Sequence, residues 1–317
     1  MTTLADRAAP RIVVLGSLNM DLVVRLPHVP AAGETLQGHS IAHVPGGKGG
    51  NQAVSCARQG ARVRLVGSVG DDAHGRALCA ALRLDGIDTD EVVIHAGEPT
   101  GTALVMVEDS GQNRIVVIAG ANALLALDEA AFARGLEGAA FLVAQFETPL
   151  TQVLRGLHAA RISGTPVLLN PSPVQPVDDA IWPLVDTLVV NEVEAQALSG
   201  MAADSPQEAA AAGVALRALG ASRVVITLGS AGAVAVDAEG ARLHPATPVR
   251  AVDTTAAGDT FLGALAVVLA TGGSLDDAVR VGIRAAALCV MEPGAQPSIP
   301  RHEAVLASAL PPQWTVL

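Results

Sequence analysis

From Arg11 onward, short runs of Val, Ile and Leu alternate with longer alanine-rich stretches, and this alternation limits most tightly what the chain can become. A run that is apolar at every position, rather than at every second one, suits a strand covered on both faces. Parallel strands joined by crossover helices meet that condition, because the helices return over the sheet and pack on each side. The spacing predicts core strands at Ile12–Gly16, Val63–Val69, Ala140–Gln145, Val167–Asn170, Thr187–Asn191 and Val224–Leu228. Helices are predicted over Asn51–Gln59, Gly75–Asp85, Leu150–Ala160, Glu192–Ser199 and Ser205–Leu219, several opening near Asn, Thr, Asp or Ser caps. The fold class is therefore α/β. With 317 residues, 50% of them hydrophobic, the chain can bury one large core, with or without an appendage.

Two regions break the alternation. Asp21–Val44 leaves no room for crossover helices, and Thr102–Val107 and Arg114–Ile118 flank the turn-forming run Glu108-Asp-Ser-Gly-Gln-Asn as a hairpin would. Both are expected in a small sheet standing off the main domain, inserted at about residues 19–45 and 98–120. Open α/β sheets bind ligands beyond the C-terminal ends of their strands, so a flap over that edge would be a lid. Residues 1–10 are expected as a flexible tail and 11–317 as the α/β domain.

Charge and composition remove several classes of function. The 31 Asp and Glu outweigh 20 Lys and Arg to give a net charge of -11, with no basic run and few aromatics (Tyr 0, Trp 2, Phe 4) to stack on bases. Nucleic acid is thus not an expected partner. No stretch reaches 18 uninterrupted apolar residues, and Met1–Arg11 carries Asp6 and Pro10 ahead of only a short apolar run, so neither membrane nor export is expected. Cys56, Cys79 and Cys289 are scattered without metal-binding spacing and read as reduced thiols in a cytoplasm. Of the 20 basic residues one alone, Lys48, is a lysine.

The segment Asp253-Thr-Thr-Ala-Ala-Gly-Asp-Thr260 precedes a helical stretch from about Asp259 to Ala270. Small residues at Ala256, Ala257 and Gly258 let backbone approach a ligand, and N–H groups at a helix start favour an anion. Asp259 puts a carboxylate beside that anion hole, which makes sense if it takes a proton from an attacking hydroxyl. By itself it reads equally well as an N-cap. The second segment, Gly46-Gly-Lys-Gly-Gly-Asn51, is not a P-loop, because Gly49 follows Lys48 where a hydroxyl should hold magnesium.

Together these two segments closely resemble the signatures of the ribokinase family (pfkB type) of ATP-dependent carbohydrate kinases. The similarity runs from Val14-Leu-Gly-Ser-Leu-Asn-Met-Asp21 to Gly294-Ala-Gln-Pro-Ser-Ile-Pro300. The resemblance implies a ribokinase-like fold, a central mainly parallel sheet flanked by helices with a small β-sheet lid. It implies transfer of the γ-phosphoryl of MgATP to O5 of D-ribose, with Asp259 as base and Ala256, Ala257 and Gly258 as the anion hole. Sugar contacts would fall to Asn19, Met20, Asp21, Gly47, Lys48, Gly49, Gly50, Asn51 and Glu147 as well as Asp259. A carboxylate such as Asp21 can accept two vicinal hydroxyls at once. Glu147 also reads as a solvated acid at a helix start before Thr148-Pro149.

For ATP the matching residues are Asn191, the turn Thr227, Leu228, Gly229, Ser230, Ala231 and Gly232, then Gly258, Asp259 and Ile283. Asn191-Glu-Val-Glu194 matches an element that holds magnesium through Glu194, although Asn with Glu three residues on is also a capping box. Asp253, Thr255, Cys289, Glu292, Gly294 and Ser298 match a potassium cage, several through backbone oxygen alone; a proline-stiffened turn is the plainer reading. A homodimer through the lid sheets is implied as well. The chain departs from the pattern at Ile283, where a hydrogen-bonding residue often stands beside adenine, and at Met20 and Gly50. A sibling kinase, fructokinase-like or adenosine-kinase-like, and a noncatalytic sugar or nucleotide sensor are the competing readings.

Overall fold

A computed structural model describes residues 9–309, 311 and 313–317; most of the expected N-terminal tail lies outside them. The chain opens with strands β1 (Arg11–Leu15), β2 (Asn19–Leu26) and β3 (Ser40–Gly46), followed by α1 (Lys48–Arg58), β4 (Arg62–Gly70) and α2 (Ala73–Leu84). Next come β5 (Asp88–His95), β6 (Gly101–Glu108), β7 (Asn113–Ile118), α3 (Glu129–Leu136), β8 (Phe141–Gln145), α4 (Leu150–Ser163) and β9 (Val167–Asn170). The second half holds β10 (Thr187–Asn191), α5 (Glu192–Ser199), α6 (Pro206–Ala218) and β11 (Arg223–Thr227), then β12 (Ala233–Asp237) and β13 (Gly240–His244). It closes with α7 (Ala257–Ala270), α8 (Leu275–Cys289), α9 (His302–Ala307) and β14 (Thr315–Val316).

Ten strands form one sheet in the order β14-β13-β12-β11-β10-β9-β8-β1-β4-β5, parallel from β11 to β5 and antiparallel from β11 to β14. Each continuous apolar run divides between two cores. Ile12 and Val14 of β1 join one, with Leu65, Phe261 and Leu265, whereas Val13 and Leu15 join the other, with Leu142, Leu157 and Leu169. Alternate residues of a strand point to opposite faces, so both sets must be apolar when helices cover both sides. The six expected core strands are all present within a residue at each end. The antiparallel edge β12–β14, the half-exposed β5, and helices α3, α8 and α9 are elements the periodicity does not single out.

The second sheet has four strands in the order β3-β2-β6-β7, with β2 and β6 parallel and the other pairs antiparallel. It contains the two regions that broke the alternation.

One helix begins earlier than expected, at Lys48 rather than Asn51. Glycine lowers helix propensity, which is why the spacing places Lys48, Gly49 and Gly50 in a turn. Tertiary contacts override it. Gly47, at φ 82°, starts the helix in a conformation that suits glycine, and a Cβ there would lie 2.7 Å from the Asn19 nitrogen. A Cβ on Gly49 would lie 2.5 Å from the carbonyl carbon of Gly16, so the first turn of α1 rests directly on the end of β1.

Helix α7 crosses α1 equally closely. A Cβ at Gly263 would stand 2.4 Å from the Ser55 side chain, Ser55 Oγ donates to the Thr260 carbonyl (2.9 Å), and Cys56 Sγ donates to that of Gly263 (3.7 Å). Replacing a mid-helix glycine by alanine ordinarily stabilises by up to about 1 kcal/mol. Here the added methyl has nowhere to go, so Gly263→Ala is expected to destabilise by about 1 to 3 kcal/mol in urea unfolding. A stabilised variant would contradict the close approach of the two helices.

Candidate functional site

The approach of α1 and α7 sets one buried carboxylate between two amides. Asp259 is 8% exposed, and each of its oxygens accepts one N–H: Oδ2 from Asn51 Nδ2 and Oδ1 from Gln52 Nε2, both at 2.9 Å. Burial raises its pKa above the ordinary carboxylate value, against Lys48 and the two amide donors, which pull it down. Asp259 does not cap its own helix; Ala256 occupies that position. Asn51 Oδ1 is buried and meets no donor among the described residues.

Two glycine-rich or small-residue helix starts meet here, and their N–H groups decide which can hold an anion. In α1 they are already committed: Lys48 N donates to Glu147 Oε2 (3.1 Å), Gly49 N to Ser17 Oγ (3.4 Å) and Gly50 N to the Ser17 carbonyl (3.0 Å). In α7, Ala257 N donates to the Thr254 carbonyl (3.2 Å) and Thr260 N to that of Ala256 (2.8 Å). The N–H groups of Gly258 and Asp259 find no acceptor among the described residues. Of the three amides expected to face an anion only that of Ala257 is committed; those of Ala256 and Gly258 are open, as is that of Asp259, with the helix dipole behind them. Ala256, at φ 60°, is the one non-glycine residue with positive φ among the described residues, a conformation that costs about 1 to 2 kcal/mol. A Cβ on Gly258 would meet nothing within 4 Å, since it faces open space.

These groups line a cleft of about 240 Å³ together with Lys48, Asn170, Asn191, Glu194, Thr227 and Thr254. The ends of β9, β10 and β11 deliver Asn170, Asn191 and Thr227 to it, at the C-terminal edge where an open α/β sheet binds ligands. Burial works against the Lys48 charge, but Asp259, Glu147 and Glu194 outweigh it and raise the ammonium pKa above its usual value. Glu147 lies across the same floor, where Oε2 accepts from Ser17 Oγ as well as from the Lys48 amide; it is not the solvated acid of the plainer reading.

Asp21 opens a second, larger cavity of about 720 Å³ between the four-stranded sheet and the Thr254 and Gly294 segments. Burial, then the charges of Glu147 and Asp259, push its pKa from 3.8 to about 7. The absence of a side chain at Gly46 makes room for it, since a Cβ there would stand 2.2 Å from Asp21 Oδ2. Asn19, two residues earlier on the same strand, lines neither cavity, and its Oδ1 accepts from Asn122 Nδ2 (2.8 Å). Met20 is 3% exposed and packs into the core with Leu18 and Val54, away from either cavity lining.

At the start of α5 the capping-box reading of Asn191 and Glu194 is met, Asn191 Oδ1 accepting from Glu194 N and Glu194 Oε2 from Asn191 N. Both residues nevertheless line the cleft, and Glu194 Oε1 takes no hydrogen bond among the described residues. In the turn after β11, Thr227 faces the cleft while Leu228 is buried and Gly229, Ser230 and Ala231 are exposed. Gly232 answers to packing: its φ is 108° and a Cβ would lie 2.0 Å from the His244 carbonyl oxygen. Ile283, 6% exposed, belongs to the core with Phe261 and lines neither cavity, so contact with a purine would require it to leave that core.

The loop expected to hold potassium is assembled around Asp253. Its Oδ1 accepts from Thr255 N (2.9 Å) and Oγ1 (2.6 Å), and its Oδ2 from Gly294 N (2.9 Å). Burial raises its pKa, but these donors together lower it below the ordinary value, so the loop keeps a full negative charge. Cys289 Sγ pairs with Ser298 Oγ (3.1 Å) and accepts from Thr260 Oγ1 (3.3 Å), which ties the loop to α7. Glu292 is exposed beside it.

Four site residues escaped the sequence reading: Gln52, Gln145, Asn122 and Asn170. Gln52 follows Asn51 directly, and its place beside a signature residue was the available signal. Gln145 and Asn170 end two of the predicted core strands, where only their polarity set them apart, and Asn122 lies in a segment with no local pattern.

The chain matches the pfkB family of carbohydrate kinases over residues 9–302. It is similar to the ribokinase of Haemophilus influenzae, 38% identical over 300 residues that cover 93% of this chain and 97% of that one. The ribokinase of Schizosaccharomyces pombe is 40% identical over 304 residues, 91% and 94% of the two chains. Among solved structures, Arabidopsis thaliana ribokinase complexed with ribose and ATP superposes with a TM-score of 0.88 at 33% identity, covering 94% of this chain and 98% of that one.

The raised pKa of Asp21 has a consequence for stability. Between about pH 4 and pH 7 the folded chain keeps a proton that the unfolded chain releases, so folding weakens as pH rises through that window. Asp21→Asn abolishes the effect, and its gain in Tm over the unsubstituted protein is expected to be larger at pH 8 than at pH 5. A pH-independent difference would contradict the assignment.

Proposed function

This chain belongs to the pfkB family of carbohydrate kinases, and we propose that it transfers the γ-phosphoryl group of ATP to O5 of D-ribose, giving ribose 5-phosphate and ADP. The observation that carries this reading is the juxtaposition at the start of α7: a buried carboxylate of raised pKa, the open backbone N–H groups of Ala256, Gly258 and Asp259, and an unpaired amide acceptor. Similar proteins that are ribokinases by name, one of them solved in complex with ribose and ATP, support the choice of substrates.

Phosphoryl transfer asks for little covalent help and much positioning. Asp259 takes the proton of the attacking hydroxyl as its oxygen closes on phosphorus; burial makes it a stronger base than a surface carboxylate. The Gly258 and Asp259 amides face the negative charge on the transferring group, and Lys48 adds a compact positive charge from the opposite wall of the cleft. The Asp21 carboxylate, which lines the larger cavity, and the unpartnered Asn51 Oδ1 accept sugar hydroxyls, with Asn19 held behind them by Asn122 and Glu147 by the Lys48 amide. Asn191, Thr227 and Asn170 line the side that the nucleotide phosphates enter.

Glu194, with one oxygen in its cap and the other unbonded, fits a hard divalent cation that keeps much of its water. Magnesium bound there would supply neutralisation of the phosphate charge. The oxygen donors around Asp253, with the backbone of Thr255, Cys289, Glu292, Gly294 and Ser298, fit a potassium ion that would stiffen the loop ahead of the anion site.

The four-stranded sheet serves as a lid that excludes water from the reaction. Its outer strand β7 leaves Ile115, Val116, Val117 and Ile118 each more than half exposed, and Ile41 on β3 likewise, which supports pairing of two copies through these sheets. Cys56, Cys79 and Cys289 are buried and unpaired, in keeping with a reducing cytoplasm. No helix among the described residues is long and apolar enough to cross a membrane.

An ADP-release assay with magnesium, run with ribose, deoxyribose, fructose and adenosine in the presence and absence of potassium, tests the reading. Ribose is expected to give the highest kcat/KM, and Asp259→Asn to lower turnover about 10²-fold to 10⁴-fold with ribose affinity roughly intact. Preference for another acceptor would reassign the substrate; binding without ADP release would make the chain a sensor.

A further inference from the structure

The two amides on Asp259 are not equivalent. The oxygen of Asn51 is buried and meets no donor among the described residues, whereas the oxygen of Gln52 is occupied: Gln145 Nε2 donates to it at 2.6 Å. Gln52 and Gln145 are both 0% exposed, so solvent water does not reach and replace either contact. Gln52 sits in α1 and Gln145 ends β8, 93 residues apart in sequence.

A carboxamide has a donor end and an acceptor end of nearly the same shape. Turned around, Gln52 would set its oxygen against the Asp259 carboxylate, an arrangement tolerable only with the acid protonated. The contact from Gln145 opposes that alternative: its NH₂ donates to the Gln52 oxygen and the Gln52 NH₂ to Asp259 Oδ1, so Gln52 could turn only if Gln145, whose own Oε1 meets no donor among the described residues, turned with it. The Gln145 carboxamide itself lies in space that Gly16 leaves open, since a Cβ at Gly16 would stand 2.0 Å from Gln145 Oε1. The glycine of Val14-Leu-Gly thereby gains a reason that neither a turn nor a ligand supplies.

We propose that Gln145 and Gln52 form a positioning relay which fixes the direction of the hydrogen bond to Asp259 and so keeps that carboxylate ready to accept the substrate proton. The inference rests on the assignment of Asp259 as proton acceptor. Neither glutamine lines either cavity, so both act through Asp259 and not on the ligands. Removing the Gln52 donor takes away one of the contacts that offset burial, and the carboxyl then holds its proton to higher pH.

The test is the pH profile of kcat for Gln52→Met, Gln145→Met, the double variant and Asp259→Asn, with KM for ribose and Tm measured alongside. The acid limb is expected to move up by about one pH unit in Gln52→Met, a loss of turnover that reaches about tenfold on the acid side of the limb and recedes as pH rises, with KM within about twofold. Gln145→Met should move it in the same direction, and the double variant no further than Gln52→Met, as members of one relay behave. Gln145→Met touches neither Asp259 nor the cavities, so it decides the matter if Gln52→Met does not fold. An unmoved limb with kcat lowered equally at every pH, or a change in Tm alone, would overturn the relay while leaving Asp259 its role. Near-normal turnover in Asp259→Asn would overturn both.

Discussion

The close approach of α1 and α7 is the constraint on which the site depends. Gly263 against Ser55 lets the two helices meet with almost no side chain between them, and only at that separation do Asn51 and Gln52 reach the oxygens of Asp259. A carboxylate withdrawn from water is costly unless charges and donors surround it. Two amides and the nearby Lys48 offset that cost in part, and the residue of it appears as a raised pKa. The same imbalance that burdens the folded state makes Asp259 and Asp21 responsive to protons, a trade of stability for activity expected at reactive sites.

The glycines divide between two tasks. Gly16, Gly47, Gly49 and Gly263 are small because other parts of the protein fill the space a side chain would need. Gly258 is small beside an open cleft, with the free N–H groups of α7 around it. Both kinds sit in conspicuous glycine-bearing segments, yet α1 has its N–H groups bonded to Glu147 and Ser17 and has none left for phosphate. The polar bookkeeping of helix starts, and not glycine content, separates an anion site from a packing seam.

Much of the architecture was legible from the chain. Strands covered on both faces show as unbroken apolar runs, and the second sheet as the stretches where the alternation lapses. The half-exposed β5 was not, because it mixes polar and apolar residues with weak period, and the antiparallel edge and α8 were not singled out either. The start of α1 was misplaced because local propensity argues against helix at Lys48-Gly-Gly50, whereas the contacts that impose it come from Gly16 and Glu147, remote in sequence. Signature residues stood out by resemblance, but what they touch did not. Gln145 and Asn122 are single amides, and their importance exists only where the fold brings distant segments together. Ile283 is the reverse case, a position singled out by alignment that the packing turns inward.

The central claim is that Asp259 is a buried base whose proton affinity is set by desolvation and countered by amide donors. Its most direct measurement is a carbon-13 NMR titration of the substrate-free protein carrying labelled aspartate carboxyls, with the Asp259 signal assigned by its loss in Asp259→Asn. The account predicts that this resonance titrates above the ordinary aspartate value of 3.8. A midpoint at or below that value would contradict it.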